Sequence, residues 1–434
     1  MLKSVIKRVC PDFVLKWYGA IKSSRSYRVV KYRKLINQTH EHYKTFVERI
    51  KNREDSPLRF ASYVVYDSSF GAYGLMDLML AEPKKYSPKI VICPDVARGD
   101  QQLKGQYKKT RDFFVKKYGE EYVVDGYDEE TETFVDVSDQ FDVIYCANPY
   151  DAMVNKVHGV QYLSTRNVLP VYIGYAFENV NWGAKHITPS LEISLFWKVF
   201  AETSYTLKEY EKYELIKGRN VVLTGYAKMD DFSKIKLKIR DRKRIIIAPH
   251  HTVGNHALPL SNFMSYYKLI IKLPELFPEI DFVFRPHPLL FTALVNNGIW
   301  TEDQVDRYLE NIKEAGIEYS VGGDYFELFA NSDAIIHDCG SFITEWLYTE
   351  KPCCFVYRNK DTSKLLSELG KVAMEYYTIA YSEKDIISFV QSVNDDSVLQ
   401  KKYDWSKFRE NVKINYPYVS QKILQEISIK NGNE

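Results

Sequence analysis

Ser332-Asp333-Ala334-Ile335-Ile336-His337-Asp338-Cys339-Gly340-Ser341-Phe342-Ile343-Thr344-Glu345, followed by Lys351-Pro352-Cys353-Cys354-Phe355-Val356-Tyr357, is the stretch whose reading decides the fold. Ala334 to Ile336 is a short apolar run, the pattern of a buried strand. Gly340 and Ser341 mark a turn, a helix opens near Ser341, and a second apolar strand follows Lys351-Pro352. A strand-turn-helix unit of this kind is a phosphate site. The first N–H groups of its helix lack partners within the helix, and the helix dipole adds partial positive charge there. Gly340 predicts close approach of an anionic ligand to the backbone. Glu345, one turn beyond Ser341 on the same face, is placed to accept hydrogen bonds from a ribose diol. The plainer reading is an N-cap at Ser341 and a surface acid at Glu345.

Two further strands point the same way. Arg244-Ile245-Ile246-Ile247-Ala248 ends in Pro249-His250-His251-Thr252, and Asp281-Phe282-Val283-Phe284 ends in Arg285-Pro286-His287-Pro288. Both place cationic or protonatable groups where a parallel strand gives way to its loop, the edge at which α/β sheets bind ligands. Arg285 offers a planar fork to a phosphate, and two prolines fix the backbone around His287. Taken one at a time, His250 and His251 also read as structural histidines.

In this order, residues 249–252, 285–288, 333–341 and Glu350-Lys351-Pro352 resemble the carboxy-terminal half of the CDP-glycerol glycerophosphotransferases, which build teichoic acids and related capsule polymers. Leu223-Thr224-Gly225-Tyr226-Ala227-Lys228-Met229-Asp230 is similar to the Thr-Gly-x-Pro-x-x-Asp segment preceding that half. The resemblance covers residues 220 to 360 and reaches the amino-terminal half only loosely. It implies an α/β fold of GT-B architecture, two Rossmann-like domains facing a central cleft. It also implies transfer of an alditol phosphate from a CDP-linked donor to a hydroxyl of a lipid-linked or oligomeric polyol or sugar acceptor.

The site assembled from these readings has Arg285, His287 and His251 in catalysis. His250, Thr252, Asp338, Gly340 and Ser341 hold the phosphates, and Glu345 lies near the ribose. A fixed cluster of cations and N–H donors stabilises the leaving phosphate electrostatically, so no metal or other cofactor is expected. Asp230-Asp231 sits in a strongly charged stretch and is not read as a metal site.

Two departures from the family pattern bear on the chemistry. Where the family carries Trp-His-Gly-Thr in its first domain, this chain has Val171-Tyr172-Ile173-Gly174-Tyr175-Ala176. With that histidine missing, Asp67 in the first βα loop is the leading candidate base and His158 the second. Asp338-Cys339-Gly340 with Glu345 also leans toward the Asp-x-Gly-x-x-x-x-Glu pattern of sugar-nucleotide enzymes. A glycosyltransferase using a sugar nucleotide is therefore the alternative, and a sugar-nucleotide epimerase a third reading.

The 434 residues exceed one core, and 45% apolar with 15% aromatic content suffices for two. Six cysteines without a CxxC pair read as buried thiols of a reducing compartment. No run of eighteen apolar residues and no signal-peptide core is present. Residues 1 to 53 hold fourteen Lys or Arg against three Asp or Glu, a net of +11, and the remainder carries −9. Leu2, Val5, Ile6 and Val9, then Phe13, Trp17 and Ile21, follow helical spacing among the basic residues. This pattern predicts an amphipathic helix lying on an anionic membrane surface through residues 1–30, in a cytoplasmic protein peripheral to the cell membrane. Packing on the protein body is the competing reading, and no reader motif supports nucleic-acid binding. The predicted organisation is a basic helical segment (1–54), a Rossmann-like acceptor domain (55–227), a Rossmann-like donor domain (228–400) and a helical segment packing back on the fold (401–434). The charged stretch 228–242 is read as the interdomain linker.

Overall fold

Short apolar runs that stop at Asp, Asn, Gly or Pro give the chain two parallel sheets. In the computed structural model, which describes residues 25–53, 56–181, 186–254, 258–322, 325–397 and 403–429, the first sheet comprises β1 (Leu58–Val64), β2 (Tyr86–Ile92), β3 (Val123–Asp125), β6 (Val143–Cys146), β7 (Leu169–Ile173), β8 (Lys198–Ala201) and β9 (Val221–Leu223). Their order is β3-β2-β1-β6-β7-β8-β9, and every neighbouring pair is parallel. β4 (Tyr127–Asp128) and β5 (Thr133–Phe134) form a separate antiparallel pair. The second sheet holds β10 (Lys243–Ala248), β11 (Ile280–Phe284), β12 (Glu318–Tyr319), β13 (Ala334–His337), β14 (Cys353–Val356) and β15 (Thr378–Ala380). Its order is β12-β11-β10-β13-β14-β15, again parallel throughout.

Parallel sheets carry helices on both faces, so their strands are apolar on both sides instead of alternating. Ile245, Ile246, Ile247 and Ala248 are accordingly all buried. In each sheet the chain starts in the middle, runs to one edge, and returns to fill the other. The strand order therefore reverses between β1 and β6 in one sheet and between β10 and β13 in the other, the two places where such sheets bind ligands.

The chain divides into two units, one of residues 1–175, 184–227 and 418–434, the other of residues 176–183 and 228–417. Both are Rossmann-like, the fold class expected from the sequence. The stretch 228–242, read from its charge as a linker, belongs to the second unit, where Met229 and Asp230 of the helix Met229–Phe232 are buried. The carboxy-terminal segment is shared. Residues 403–417 group with the second unit, while the helix Val419–Ile427 packs in the first through Val419, Ile423 and Ile427.

Residues 1–24, which carry most of the expected membrane helix, lie outside the described residues. From Arg25 to Lys51 the basic segment is a helix, and its apolar stripe faces protein. Ile36, Tyr43, Phe46 and Ile50 are buried in the first unit's cores. Tyr43 donates to Leu195 O at 2.6 Å, and His40 and His42 bond Ser194 O and Arg166 O at 2.9 Å each. Helical periodicity shows that one face is covered without showing what covers it, and over this stretch the cover is the first unit. Tyr43→Ala should destabilise that unit by about 3–5 kcal/mol, the usual cost of deleting a buried aromatic ring. Denaturant unfolding followed by a first-unit probe measures it, and a loss below about 1 kcal/mol would contradict this packing.

Candidate functional site

The second unit's switch point is organised by one buried carboxylate. Asp338 follows β13 and is fully buried. Its Oδ1 accepts from His250 N at 2.5 Å, and its Oδ2 accepts from Asn262 N at 2.6 Å and Tyr266 OH at 3.4 Å. Burial pushes its carboxyl up to about 7, while the Asn262 and His250 N–H bonds pull the other way. Asp338, expected among the phosphate-binding residues, therefore acts on the turn after β10, holding the backbone that presents His250 and His251.

Three imidazoles meet above that turn. Ring centroids lie 4.3 Å apart for His250 and His251, 4.1 Å for His251 and His287, and 5.2 Å for His250 and His287. One ligand atom from each falls within 4.8 Å of the others, close enough for a metal ion. The hydrogen bonding sets a different polarity. Thr252 Oγ1 accepts from Leu260 N at 3.1 Å and Ser261 N at 3.2 Å, which occupies both of its lone pairs. Its hydroxyl proton therefore goes to His250 Nδ1, 2.9 Å away. His287 Nδ1 likewise accepts, from Leu289 N at 3.1 Å. Both rings thus carry their proton on Nε2. A histidine that ligates metal through one nitrogen normally donates through the other. Here the second nitrogen accepts, so His250 and His287 present N–H donors suited to an anionic oxygen. Burial, followed by the neighbouring His251, lowers His287 to about 4, so it donates as a neutral ring at neutral pH.

Other expected residues are placed differently from their sequence reading. Arg285 is nearly buried, and its fork is engaged by Ser320 Oγ and Gly322 O at 2.7 Å each, with the guanidinium 5.5 Å from the Tyr325 ring centre. It contributes positive charge and holds the loop after β12. The helix after Ser341 has six residues, Phe342–Leu347, and Ser341 makes no side-chain cap. A Cβ on Gly340 would meet Leu260 Cδ1 at 3.1 Å, a tight contact with the end of a flexible side chain. Glu345 is neither exposed nor open to a ribose. It is buried, accepts from Tyr325 OH and lies 3.6 Å from Lys228 Nζ, which also donates to Tyr325 OH at 2.7 Å.

Sequence reasoning missed Lys228, which offsets the charge of Glu345, and Tyr325, which donates to it. It also missed Asn179 of the second unit, whose Nδ2 donates to Gly340 O at 3.0 Å. Lys228 lies inside the Thr224–Asp230 segment already singled out, so a basic residue there was the available signal. An open pocket of about 360 Å³ adjoins the histidine turn, lined by Gly254, Pro259, Arg358, Asn359, Thr362 and Leu365 among others.

In the first unit, Asp67 begins a 3-10 turn after β1, and no partner for its carboxylate is found among the described residues. His158 is buried, bonded through Nε2 to Val135 O at 3.0 Å, with its ring edge-on to Tyr63. Burial lowers its pKa, and the geometry is that of a core histidine. A different carboxylate lies at the carboxy-terminal edge of this sheet, beside the end of β7. Gly174 follows β7, Glu202 follows the adjacent β8, and a Cβ on Gly174 would fall 2.0 Å from Glu202 Oε1. Glu202 is 3% exposed, and its Oε2 has no hydrogen-bond partner among the described residues. Burial raises its carboxyl to about 7. An acid placed directly after an apolar strand was the readable signal.

No family model and no curated protein matches the sequence. Solved structures share the fold. The wall teichoic acid polymerase TagF superposes with a TM-score of 0.56 at 13% identity, covering 94% of this chain and 98% of that one. A putative UDP-N-acetylglucosamine 2-epimerase from Listeria monocytogenes gives 0.52 at 11%, covering 86% and 96%. The S. aureus MnaA-UDP co-structure gives 0.51 at 12%, covering 85% and 96%. These likenesses show the GT-B class of fold.

The wiring of the histidines is directly measurable. Long-range 1H–15N spectra of histidine-labelled protein should show His287 as the neutral Nε2–H tautomer at pH 7, charging only as pH falls toward about 4. A cationic ring or an Nδ1–H tautomer at pH 7 would contradict the assignment. Glu202 gives a second test, through stability. Its carboxyl lies at about 7 in the folded chain against an ordinary 4.5, so its contribution is fully present below about pH 4.5 and is lost as pH rises through about 7. Glu202→Gln should therefore gain stability relative to the unaltered chain between about pH 5 and 8, by up to about 3 kcal/mol. Melting curves at both pH values measure it, and a pH-independent difference would contradict it.

Proposed function

We propose that the chain is a transferase that moves an alditol phosphate, glycerol phosphate or a similar unit, from a CDP-linked donor to a hydroxyl of a lipid-linked or oligomeric acceptor in cell-surface polymer synthesis. The observation that carries this reading is the pair of Nε2–H donors on His250 and His287 at the second unit's switch point, beside an open pocket of about 360 Å³. Pyrophosphate oxygens fit the donors, and a nucleoside fits the pocket. The wall teichoic acid polymerase TagF shares the fold, and a variant of it was soaked with CDPG.

In this reading the acceptor hydroxyl attacks the phosphorus that bears the alditol. The P–O bond to the nucleotide breaks, and CMP leaves with the bridging oxygen and its growing charge. His250 and His287 donate to that charge from fixed positions, and Arg285 adds a nearby positive field, an arrangement that lowers the barrier without reorganisation. Asp67 of the first unit, for whose carboxylate no partner is found among the described residues, is the candidate to take the hydroxyl proton. Residues 1–30 on an anionic leaflet would bring the enzyme to a lipid-linked acceptor. The second reading, a sugar-nucleotide enzyme, has its own support in the MnaA structure, a co-structure with UDP.

Thermal unfolding separates the two readings. CDP at 100 times its dissociation constant should add about 2.7 kcal/mol to the second unit's stability. UDP at the same concentration should add clearly less, and the reverse order would favour the sugar-nucleotide reading. His287→Ala should lower transfer from CDP-glycerol by about a hundredfold with the fold intact, as loss of one preorganised donor does. Near-normal turnover in that variant would overturn the proposed site.

A further inference from the structure

We infer that the pocket bounded by Tyr66, Asp95, Arg98, Gln102 and Gln106 in the first unit is a subsite for an uncharged polyol or sugar unit, the place where the acceptor's hydroxyl-bearing end docks. Its role as acceptor site rests on the transferase reading. The binding chemistry does not.

The pocket, about 210 Å³, opens at the carboxy-terminal ends of β1 and β2, the same sheet edge as Asp67. Asp95 forms its base. The residue is 2% exposed, and both carboxylate oxygens are engaged: Oδ1 accepts from Ala97 N at 2.8 Å, and Oδ2 accepts from Tyr66 OH and lies 3.3 Å from Arg98 Nε. The carboxylate is thus unavailable to a ligand and serves to position two other groups. It fixes the Nε edge of Arg98, whose guanidinium lies 5.3 Å from the Tyr66 ring centre, and Arg98 remains more than half exposed. Held along one edge and against one face, the guanidinium keeps its two terminal amino groups as a planar fork, and no protein acceptor for them is found among the described residues. Gln106 donates through Nε2 to Thr110 Oγ1 at 2.9 Å, which leaves its carbonyl oxygen as an acceptor, and the Gln102 amide is exposed beside it.

The lining therefore offers planar two-point donors and an amide acceptor, with the charge of Arg98 offset by Asp95. A phosphate would find little net attraction there. Neighbouring hydroxyls, each both donor and acceptor, match the set.

Ligand-observed NMR titrations of the full chain with ribitol, methyl N-acetylglucosaminide and glycerol 3-phosphate test the inference, run beside a CDP titration. Arg98→Ala and Gln106→Leu should each weaken binding of a neutral ligand by about tenfold or more, the usual penalty for losing hydrogen bonds a site is built around. CDP affinity should be unchanged in both variants. Polyol binding should hold between 0.1 M and 1 M salt, where an ionic contact would be screened. Equal affinity in the variants and the unaltered chain would overturn the subsite, as would binding of glycerol 3-phosphate alone with strong salt dependence. If the neutral ligands bind as expected and CDP does not bind at all, the subsite stands and the transferase reading falls.

Discussion

The buried carboxylate of Asp338 is the constraint on which the second unit's chemistry depends. It sits at the end of β13, beside the switch point, and reaches the backbone N–H of His250, 88 residues earlier, and of Asn262, 76 residues earlier. A buried carboxylate is costly unless its oxygens are occupied. Here the donors come from the turn that carries the histidines and from the cap of the helix Phe263–Leu276. Satisfying one acid therefore fixes the turn between β10 and that helix, and with it the position of His250 and His251. Thr252 completes the arrangement by spending both lone pairs on the backbone and its proton on His250.

The consequence is chemical as well as structural. A cluster of three imidazoles is ambiguous by composition, since it suits a transition metal or an anion equally well. The direction of the hydrogen bonds favours an anion at His250 and His287, because an Nδ1 that accepts leaves an Nε2 that donates. His287, its pKa lowered by burial, stays a neutral donor as pH varies about neutrality.

Much of the fold was legible from residues alone. Strands in parallel sheets are buried on both faces, so β1, β2, β6, β10, β11, β13 and β14 each stand out as apolar runs ended by a polar or proline residue. The sheet edge that carries function was legible for the same reason, since whatever follows such a run lies at the carboxy-terminal edge. Pairings across the chain were not. Nothing local says that Glu345 is neutralised by Lys228, 117 positions earlier, or that the space beside Gly340 is filled by Leu260. A glycine after a strand signals that a Cβ is unwelcome, not whether a ligand or a leucine excludes it. Helical spacing from Leu2 to Ile21 likewise predicts an apolar face but cannot tell lipid from protein; in the helix that follows, Arg25–Lys51, Tyr43 and Ile50 show that protein covers the apolar face. Glu202 escaped notice because an acid after a strand usually faces water, and only the absent side chain of Gly174 makes room to bury it.

In the proposed function the second unit's histidines, His250 held through Asp338 and Thr252 and His287 through Leu289 N, receive the phosphates of a nucleotide. A crystal structure of the chain with CDP tests it most directly. Diphosphate oxygens are expected within about 3.2 Å of Nε2 on both His250 and His287, with the cytosine and ribose beside Gly254 and Thr362. Phosphates bound elsewhere in the chain, or a metal ion coordinated by those ring nitrogens, would contradict it.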